Sequence, residues 1–256
     1  MLNFIKSPGK TVKGKMKKTA LILHGFPQPV GSSDSYLIKY LQNKEYEVCC
    51  PYLLEGDWDF NWQNITKHII QKLNNKIPDV VIGISIGGLF LPNLAKNWPN
   101  AKLIFLATGP NLNLPNTVML PINMIQTDMG YHLIKLILKI PDNVLVKAYG
   151  LLDRWIEGPG KHDQSDLQSN LYYMRLVSKK RVKELVKLLK TVDNSDILQK
   201  MQNPSLVING KFDVLMGASQ GKALSVLLSN NKYIENTRSH FNVFTKNDLK
   251  YLDEFL

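Results

Sequence analysis

One ten-residue stretch constrains the fold of this chain more than any other: residues 79–88, Asp-Val-Val-Ile-Gly-Ile-Ser-Ile-Gly-Gly. An apolar run typical of a buried strand leads into Gly-x-Ser-x-Gly, and a helix-like segment follows. This is the pattern of a nucleophile elbow, a tight strand-to-helix turn that exposes a serine. Gly83 and Gly87 fill the two flanking positions where side chains would collide with the strand and the helix. Ser85 is therefore a candidate nucleophile, although the same pattern also fits a glycine-rich turn in any α/β sheet.

The rest of the chain alternates strand-like and helix-like segments. Apolar runs typical of strands occur at 19–23, 46–52, 80–84, 102–107, 205–209 and 232–235. Helical spacing of apolar residues separates most of them. Strands and helices that alternate through short links predict an α/β fold, with a mostly parallel central sheet flanked by helices.

The alternation breaks after the strand at 102–107. Helical periodicity replaces it, with candidate helices at 129–140, 144–157, 166–177 and 179–190. We interpret residues 110–199 as an inserted helical cap over the C-terminal edge of the sheet. Residues 18–109 and 200–256 then form the core, and residues 1–17 form a basic N-terminal lead-in.

A serine nucleophile needs a base, and the base needs a partner that orients it. His240 lies in a polar loop after the last strand, at the edge where open α/β sheets bind their ligands. Asp213 follows a buried strand and a glycine turn, although aspartate is also common in ordinary turns. The order Ser85, Asp213, His240 is the order expected for such a triad on this kind of sheet. Weaker acid candidates are Asp57, Asp59, Asp193 and Asp196, and surface or structural roles are expected of His68, His132 and His162.

Four segments, each at the end of a strand, carry a resemblance to a known family. They are Leu21–Pro27 (Leu-Ile-Leu-His-Gly-Phe-Pro), Gly83–Gly88, Ile208–Asp213 and Ser239–Phe241. With these segments in this order, the chain resembles an α/β-hydrolase over nearly all of residues 18–256. The resemblance implies an α/β-hydrolase fold with an inserted helical cap, and a serine hydrolase similar to esterases and lipases.

The resemblance also assigns supporting roles. The backbone N–H groups of Phe26 and Ile86 would form the oxyanion hole. Support for the elbow and for the loop that carries Phe26 is expected from His24, Gly25, Gly83 and Gly87. Two residues depart from the family pattern. Ser239 stands where relatives often have glycine, and Pro92 is expected to kink or shorten the helix after the elbow.

Serine with an oxyanion hole suits acyl transfer to water. Relatives in this family that open epoxides or displace halide use an aspartate at this position, so the resemblance disfavours those reactions. We expect cleavage of a carboxylic ester or thioester of a small or lipid-like substrate, through an acyl-enzyme on Ser85. Amide or peptide cleavage, C–C bond hydrolysis and a non-catalytic binding protein remain open. Apolar cap residues that could line an acyl pocket, or only pack the cap, are Met119, Met124, Met129, Tyr131, Leu133, Trp155, Tyr172 and Tyr173.

The composition indicates which partners, location and cofactors to expect. The net charge of +11 comes mostly from scattered lysines, which indicates compositional bias and no specific nucleic-acid partner. Residues 179–190 form a basic amphipathic segment that could associate weakly with an anionic membrane, or be an ordinary cap helix with solvated lysines. Adjacent Cys49 and Cys50 predict no disulfide, and no signal peptide or membrane span is recognised, so a cytoplasmic location is expected. No ligand set has metal-binding spacing, so neither a metal nor an organic cofactor is expected.

Overall fold

The computed structural model describes residues 17–27, 36–114, 116–148, 164–240 and 243–256. Several features singled out in the sequence lie outside these residues: almost all of the lead-in at 1–17, Trp155, His162, Phe241 and the end of the helix predicted at 144–157.

A six-stranded sheet lies at the centre of the molecule. Its strands are β1 (Lys18–Leu23), β2 (Tyr46–Cys49), β3 (Val80–Ile84), β4 (Lys102–Leu106), β5 (Ser205–Gly210) and β6 (Asn231–Asn236). They run in the order β2-β1-β3-β4-β5-β6, and every neighbouring pair is parallel. The predicted α/β fold with a mostly parallel sheet is thus confirmed. Because parallel strands end at one edge, the loops after β1, β3 and β5 meet there.

Helices surround the sheet and fill the segment between β4 and β5. They are α1 (Tyr36–Asn43), α2 (Trp62–Lys72), α3 (Ile86–Ala95), α4 (Asn116–Gln126), α5 (Asp128–Ile137), α6 (142–148), α7 (Gln164–Leu176), α8 (Lys179–Thr191), α9 (Ser195–Lys200), α10 (Ala218–Leu227) and α11 (Leu249–Phe255), with a 3₁₀ turn at Lys246–Asp248. Helix α3 continues through Pro92 and ends three residues later. None of the described helices is both long enough and apolar enough to cross a membrane.

Two apolar clusters cover the two faces of the sheet. Alternate residues of β1 divide between them, with Leu21 and Leu23 on one side and Ala20 and Ile22 on the other. This alternation follows from the two-residue period of a strand. Burial of both faces explains why the strands read as continuous apolar runs rather than as alternating polar and apolar residues.

The helical segment between β4 and β5 leaves and rejoins the core at one place. Asn111 pairs with Asp193 in an isolated antiparallel bridge, and the Asn194 N–H donates to the Pro110 carbonyl at 3.0 Å. Residues 112–192 are therefore bracketed by one pair of backbone contacts. Helix α9 follows this junction and contacts α3 and α10.

The helices of this segment pack in two different ways. The apolar face of α8 is buried in the same cluster as the sheet, through Val182, Leu185, Val186 and Leu189. Residues of α6 and α7 and the end of α5 form a small cluster of their own, through Leu138, Leu145, Val146 and Leu171. Protein thus covers the apolar face of α8, and on its other face Lys180 and Lys183 pair with Asp59 and Asp128.

Candidate active site

The turn between β3 and α3 holds Ser85 in a backbone conformation that serine rarely adopts. Its φ is 52° and its ψ is −118°, a strained combination that costs on the order of 1–3 kcal/mol in a residue with a side chain. The Ser85 N–H donates to the Leu106 carbonyl at 2.9 Å, and the Ser85 carbonyl accepts from the Gly88 N–H at 2.9 Å. These two bonds fix the turn at the end of the strand and the start of the helix.

Glycine is required on both sides of Ser85 because the chain is crowded there. A Cβ on Gly87 would lie 2.2 Å from the Leu23 carbonyl oxygen, and a Cβ on Gly83 would lie 2.6 Å from the Gly88 Cα. Contacts this short to backbone atoms cannot be relieved by moving a side chain. The elbow thus packs directly against the end of β1.

The structure brings Ser85, His240 and Asp213 together in one chain of hydrogen bonds. Ser85 Oγ lies 2.9 Å from His240 Nε2, and His240 Nδ1 lies 2.8 Å from Asp213 Oδ2. The Asp213 side chain is fully buried, and the His240 side chain is 6% exposed. With Asp213 ionised, the imidazole keeps its proton on Nδ1 and presents Nε2 to the serine hydroxyl. The arrangement can accept the serine proton and stabilise the imidazolium that results.

A tight loop after β5 holds the carboxylate of Asp213. Its second oxygen, Oδ1, accepts from the backbone N–H groups of Leu215 at 2.8 Å and Met216 at 2.7 Å. Oδ2 is left to face His240. The N–H of Phe212 donates to the Arg238 carbonyl at 3.0 Å, which ties this loop to the loop that carries the histidine.

The loop after β1 passes beside Ser85. A Cβ on Gly25 would lie 3.4 Å from the Ser85 Cβ, so the Gly25–Phe26 backbone borders the hydroxyl. The preceding residue, His24, is 1% exposed and uses both ring nitrogens. Its Nε2 accepts from the Leu53 N–H at 2.9 Å, which leaves the proton on Nδ1, 2.5 Å from the Gly25 carbonyl oxygen. Burial lowers the pKa of His24 to about 4, so it stays neutral at physiological pH.

Tyr52 joins this loop to the helical segment. Its hydroxyl donates to the Pro27 carbonyl at 3.2 Å, and its ring lies 5.3 Å from that of His24. The ring of Tyr173 in α7 meets Tyr52 edge-on, with centroids 5.2 Å apart. Burial raises the pKa of the Tyr52 hydroxyl, which keeps it protonated as a donor. Sequence reasoning assigned Tyr52 no role, because its contacts come from segments far apart in the chain.

Other apolar residues expected to line a pocket mostly point outward. The exposed fraction is 80% for Met129, 55% for Tyr172, 49% for Leu133 and 47% for Met124. Tyr131 donates to the carbonyl of Val177, between α7 and α8, at 3.3 Å. Tyr173, of the same set, contacts Tyr52, which is hydrogen-bonded to the loop beside Ser85.

Three further candidates of the sequence contact partners outside the Ser85–His240–Asp213 chain. Asp59 pairs with Lys180 at 2.8 Å, and Asp193 accepts from Ser195 Oγ at 2.6 Å. His68 stacks on Trp58 with centroids 5.0 Å apart. In the part of the chain that the structure describes, no three His, Cys, Asp or Glu side chains cluster in a way that could hold a metal ion.

Comparisons with known proteins find the same fold among solved structures. No protein-family model matches the sequence, and no curated protein does either. An esterase from Exiguobacterium antarcticum is 16% identical over 93% of this chain and 90% of its own, with a TM-score of 0.66. A putative lipase from Acinetobacter baumannii is 19% identical over 93% and 82%, at 0.64, and the enol-lactonase from Burkholderia xenovorans is 16% identical over 95% and 93%, at 0.66. At these identities the likeness shows a shared fold.

Proposed function

This chain has the α/β-hydrolase fold, and on that premise we propose that it is a serine hydrolase. The proposed reaction is cleavage of a carboxylic ester, or thioester, of a small or lipid-like substrate through an acyl-enzyme on Ser85. The observation that carries the proposal is the hydrogen-bonded chain from Ser85 Oγ through His240 to the buried Asp213. The names of the structural neighbours, which include esterases and a lipase, agree with the same class of chemistry.

In the first half of the reaction, Ser85 Oγ attacks the carbonyl carbon while His240 Nε2 takes the hydroxyl proton. Asp213 stabilises the imidazolium through the bond to Nδ1. The tetrahedral intermediate then expels the alcohol or thiol, which leaves with the proton from His240. In the second half, His240 takes a proton from water while the water oxygen attacks the acyl-enzyme. The second intermediate then releases the acid, and His240 returns the proton to Ser85 Oγ.

The oxyanion of both intermediates would be held by backbone N–H groups. Ile86 is the first residue of α3, and N–H groups of the first helical turn have no acceptor within their own helix. Phe26 follows Gly25, whose backbone borders Ser85. Loss of one such donor costs about 3–4 kcal/mol of transition-state stabilisation. Since both donors are backbone groups, substitution of the Phe26 side chain need not abolish activity.

Labelling with a fluorophosphonate tests the proposal, because this probe reacts only with an activated serine. We expect one adduct per chain on the native protein, mapped by mass spectrometry to the peptide of Ser85. The Ser85→Ala variant should fold and remain unlabelled. Hydrolysis of p-nitrophenyl esters of increasing acyl length, measured on both proteins, would then size the acyl site. A folded native protein without an adduct would overturn the proposal and favour a binding role for the fold.

A further inference from the structure

A buried asparagine next to the proposed site has no role in the reaction described above. Asn209 is the fifth residue of β5, and its side chain is fully buried. Its amide nitrogen donates to the carbonyls of Thr108 at 3.0 Å and Met216 at 2.6 Å, and lies 3.5 Å from the Gly217 carbonyl oxygen. One side chain thus joins the end of β4 to the loop that carries Asp213.

Met216 is hydrogen-bonded at both ends of its backbone. Its N–H donates to Asp213 Oδ1 at 2.7 Å, and its carbonyl accepts from Asn209 Nδ2 at 2.6 Å. The position of the Met216 peptide therefore depends on Asn209, and the orientation of the Asp213 carboxylate depends on Met216. His240 is at the other end of this chain, bound to Asp213 Oδ2 at 2.8 Å.

Two glycines fix this arrangement by leaving no room for another. A Cβ on Gly221 would lie 2.6 Å from the Asn209 Cγ, so helix α10 closes directly on the amide. A Cβ on Gly217 would lie 2.6 Å from the Asp213 carbonyl oxygen, so the loop folds tightly on itself. In such a packed interior an amide cannot turn to a second set of partners without displacing backbone.

We propose that Asn209 is a positioning residue that holds the Asp213 carboxylate in line with His240. This proposal rests on the proposed function, because it names a determinant of the same site. Asn209 does not touch the reacting atoms. Without its amide, the carbonyls of Thr108 and Met216 lose their buried donor, the loop relaxes, and Asp213 no longer faces Nδ1 of His240.

A second buried asparagine provides a matched control. Asn203 is 5% exposed and also donates to two backbone carbonyls, those of Trp98 at 3.0 Å and Ala101 at 2.8 Å. It precedes β5, at the opposite end of that strand from Asn209. Asn203→Ala and Asn209→Ala thus remove similar buried hydrogen bonds, and only the second removal borders Asp213.

The test compares the rate of fluorophosphonate labelling of Ser85 in the two variants at a temperature where both are folded. We expect Asn209→Ala to slow labelling between about 10- and 100-fold, as for a misplaced group at a reaction site, and Asn203→Ala to change it less than about twofold. With an ester substrate, the loss should fall on kcat rather than on KM. Equal labelling rates in the two variants would overturn the proposal.

A double-mutant cycle separates positioning from a general loosening of the fold. If Asn209 acts through Asp213, its substitution should have less than about a twofold effect in an Asp213→Asn background, because the two residues form one coupled unit. A full, additive effect in that background would overturn the proposal.

A proton NMR measurement makes the test independent of turnover. The Nδ1 proton of His240 should give a low-field resonance when it is hydrogen-bonded to a carboxylate. We expect this resonance to broaden or shift upfield in Asn209→Ala and to stay unchanged in Asn203→Ala. An unchanged resonance in Asn209→Ala refutes the positioning role. An unlabelled native protein refutes the proposed function instead.

Discussion

Burial of His24, in the loop beside Ser85, makes the free energy of unfolding depend on pH. The pKa of this histidine is lowered from 6.5 to about 4, mainly because burial disfavours its charged form, while the bond to the Gly25 carbonyl acts in the opposite direction. Between these two pH values the unfolded chain binds a proton that the folded chain does not. The free energy of unfolding therefore falls as pH falls through this window, and it does so by about 3 kcal/mol for a shift of this size.

Substitution of His24 by glutamine should remove this pH dependence of the free energy of unfolding. A glutamine oxygen can still accept from the Leu53 N–H, but it does not titrate. We expect His24→Gln to be less stable than the native protein at pH 7.5 and to approach it as the pH is lowered to 4. Urea denaturation of both proteins across this range gives the difference directly. Parallel pH profiles would show that His24 can take up its proton without unfolding.

The sequence predicts residues whose chemistry is local and misses those whose role depends on distant contacts. Ser85, Asp213 and His240 stand at strand ends with glycine turns, and the structure brings the three together. Asn209 lies in one of the segments used to recognise the fold, yet nothing in its neighbours shows that it reaches Thr108 and Met216. The contact becomes visible only in the folded structure, where the end of β4 and the loop after β5 lie beside Asn209.

At the scale of elements, helix α8 is held to the core by a buried arginine. Arg181 is 1% exposed, and its guanidinium lies 4.4 Å from the Trp58 ring and 4.6 Å from the Phe60 ring. Its Nη2 donates to the carbonyls of Gly56 at 2.8 Å and Trp58 at 2.9 Å. The helix thus fixes the loop between β2 and α2. The lysine-rich pattern of residues 179–190 gives no sign that one of its basic side chains is buried.

Loss of the Arg181 guanidinium should destabilise the fold more than loss of a lysine on the same helix. Arg181→Met keeps much of the apolar stem but leaves two carbonyls without a donor, so we expect it to lower the free energy of unfolding by about 2–4 kcal/mol. Lys187→Met, on the exposed face, should change it by less than about 0.5 kcal/mol. Chemical denaturation of both variants provides the comparison. Similar small losses would mean that the guanidinium adds little to stability, and that the buried apolar side chains of α8 hold the helix in place.

At the scale of the whole molecule, the sequence predicts the class of the fold and most of its elements, but not how the helices between β4 and β5 divide between two apolar clusters. Periodicity places α8 at 179–190, and the structure places it at Lys179–Thr191. Strand order is not local information, since β1 lies between β2 and β3 although it precedes both in the chain. The helices between β4 and β5 also differ in their contacts. The sequence predicts helices at 166–177 and at 179–190, yet α8 joins the cluster of the sheet while α7 contributes Leu171 to the small cluster.

This division predicts different local stabilities for two helices of equal length. Helices α7 and α8 each have 13 residues, but α8 buries four apolar side chains in the cluster that includes the sheet. Amides in segments with few buried apolar contacts exchange through local opening, and those tied to the main core exchange only when much of the molecule unfolds. In hydrogen exchange followed by mass spectrometry, peptides from α8 should be protected nearly as long as those from β3 and β4, and peptides from α7 should exchange earlier. If α7 and α8 exchanged together, well before the strands, the whole segment between β4 and β5 would open as one unit, and the burial of α8 in the core would not couple it to the sheet.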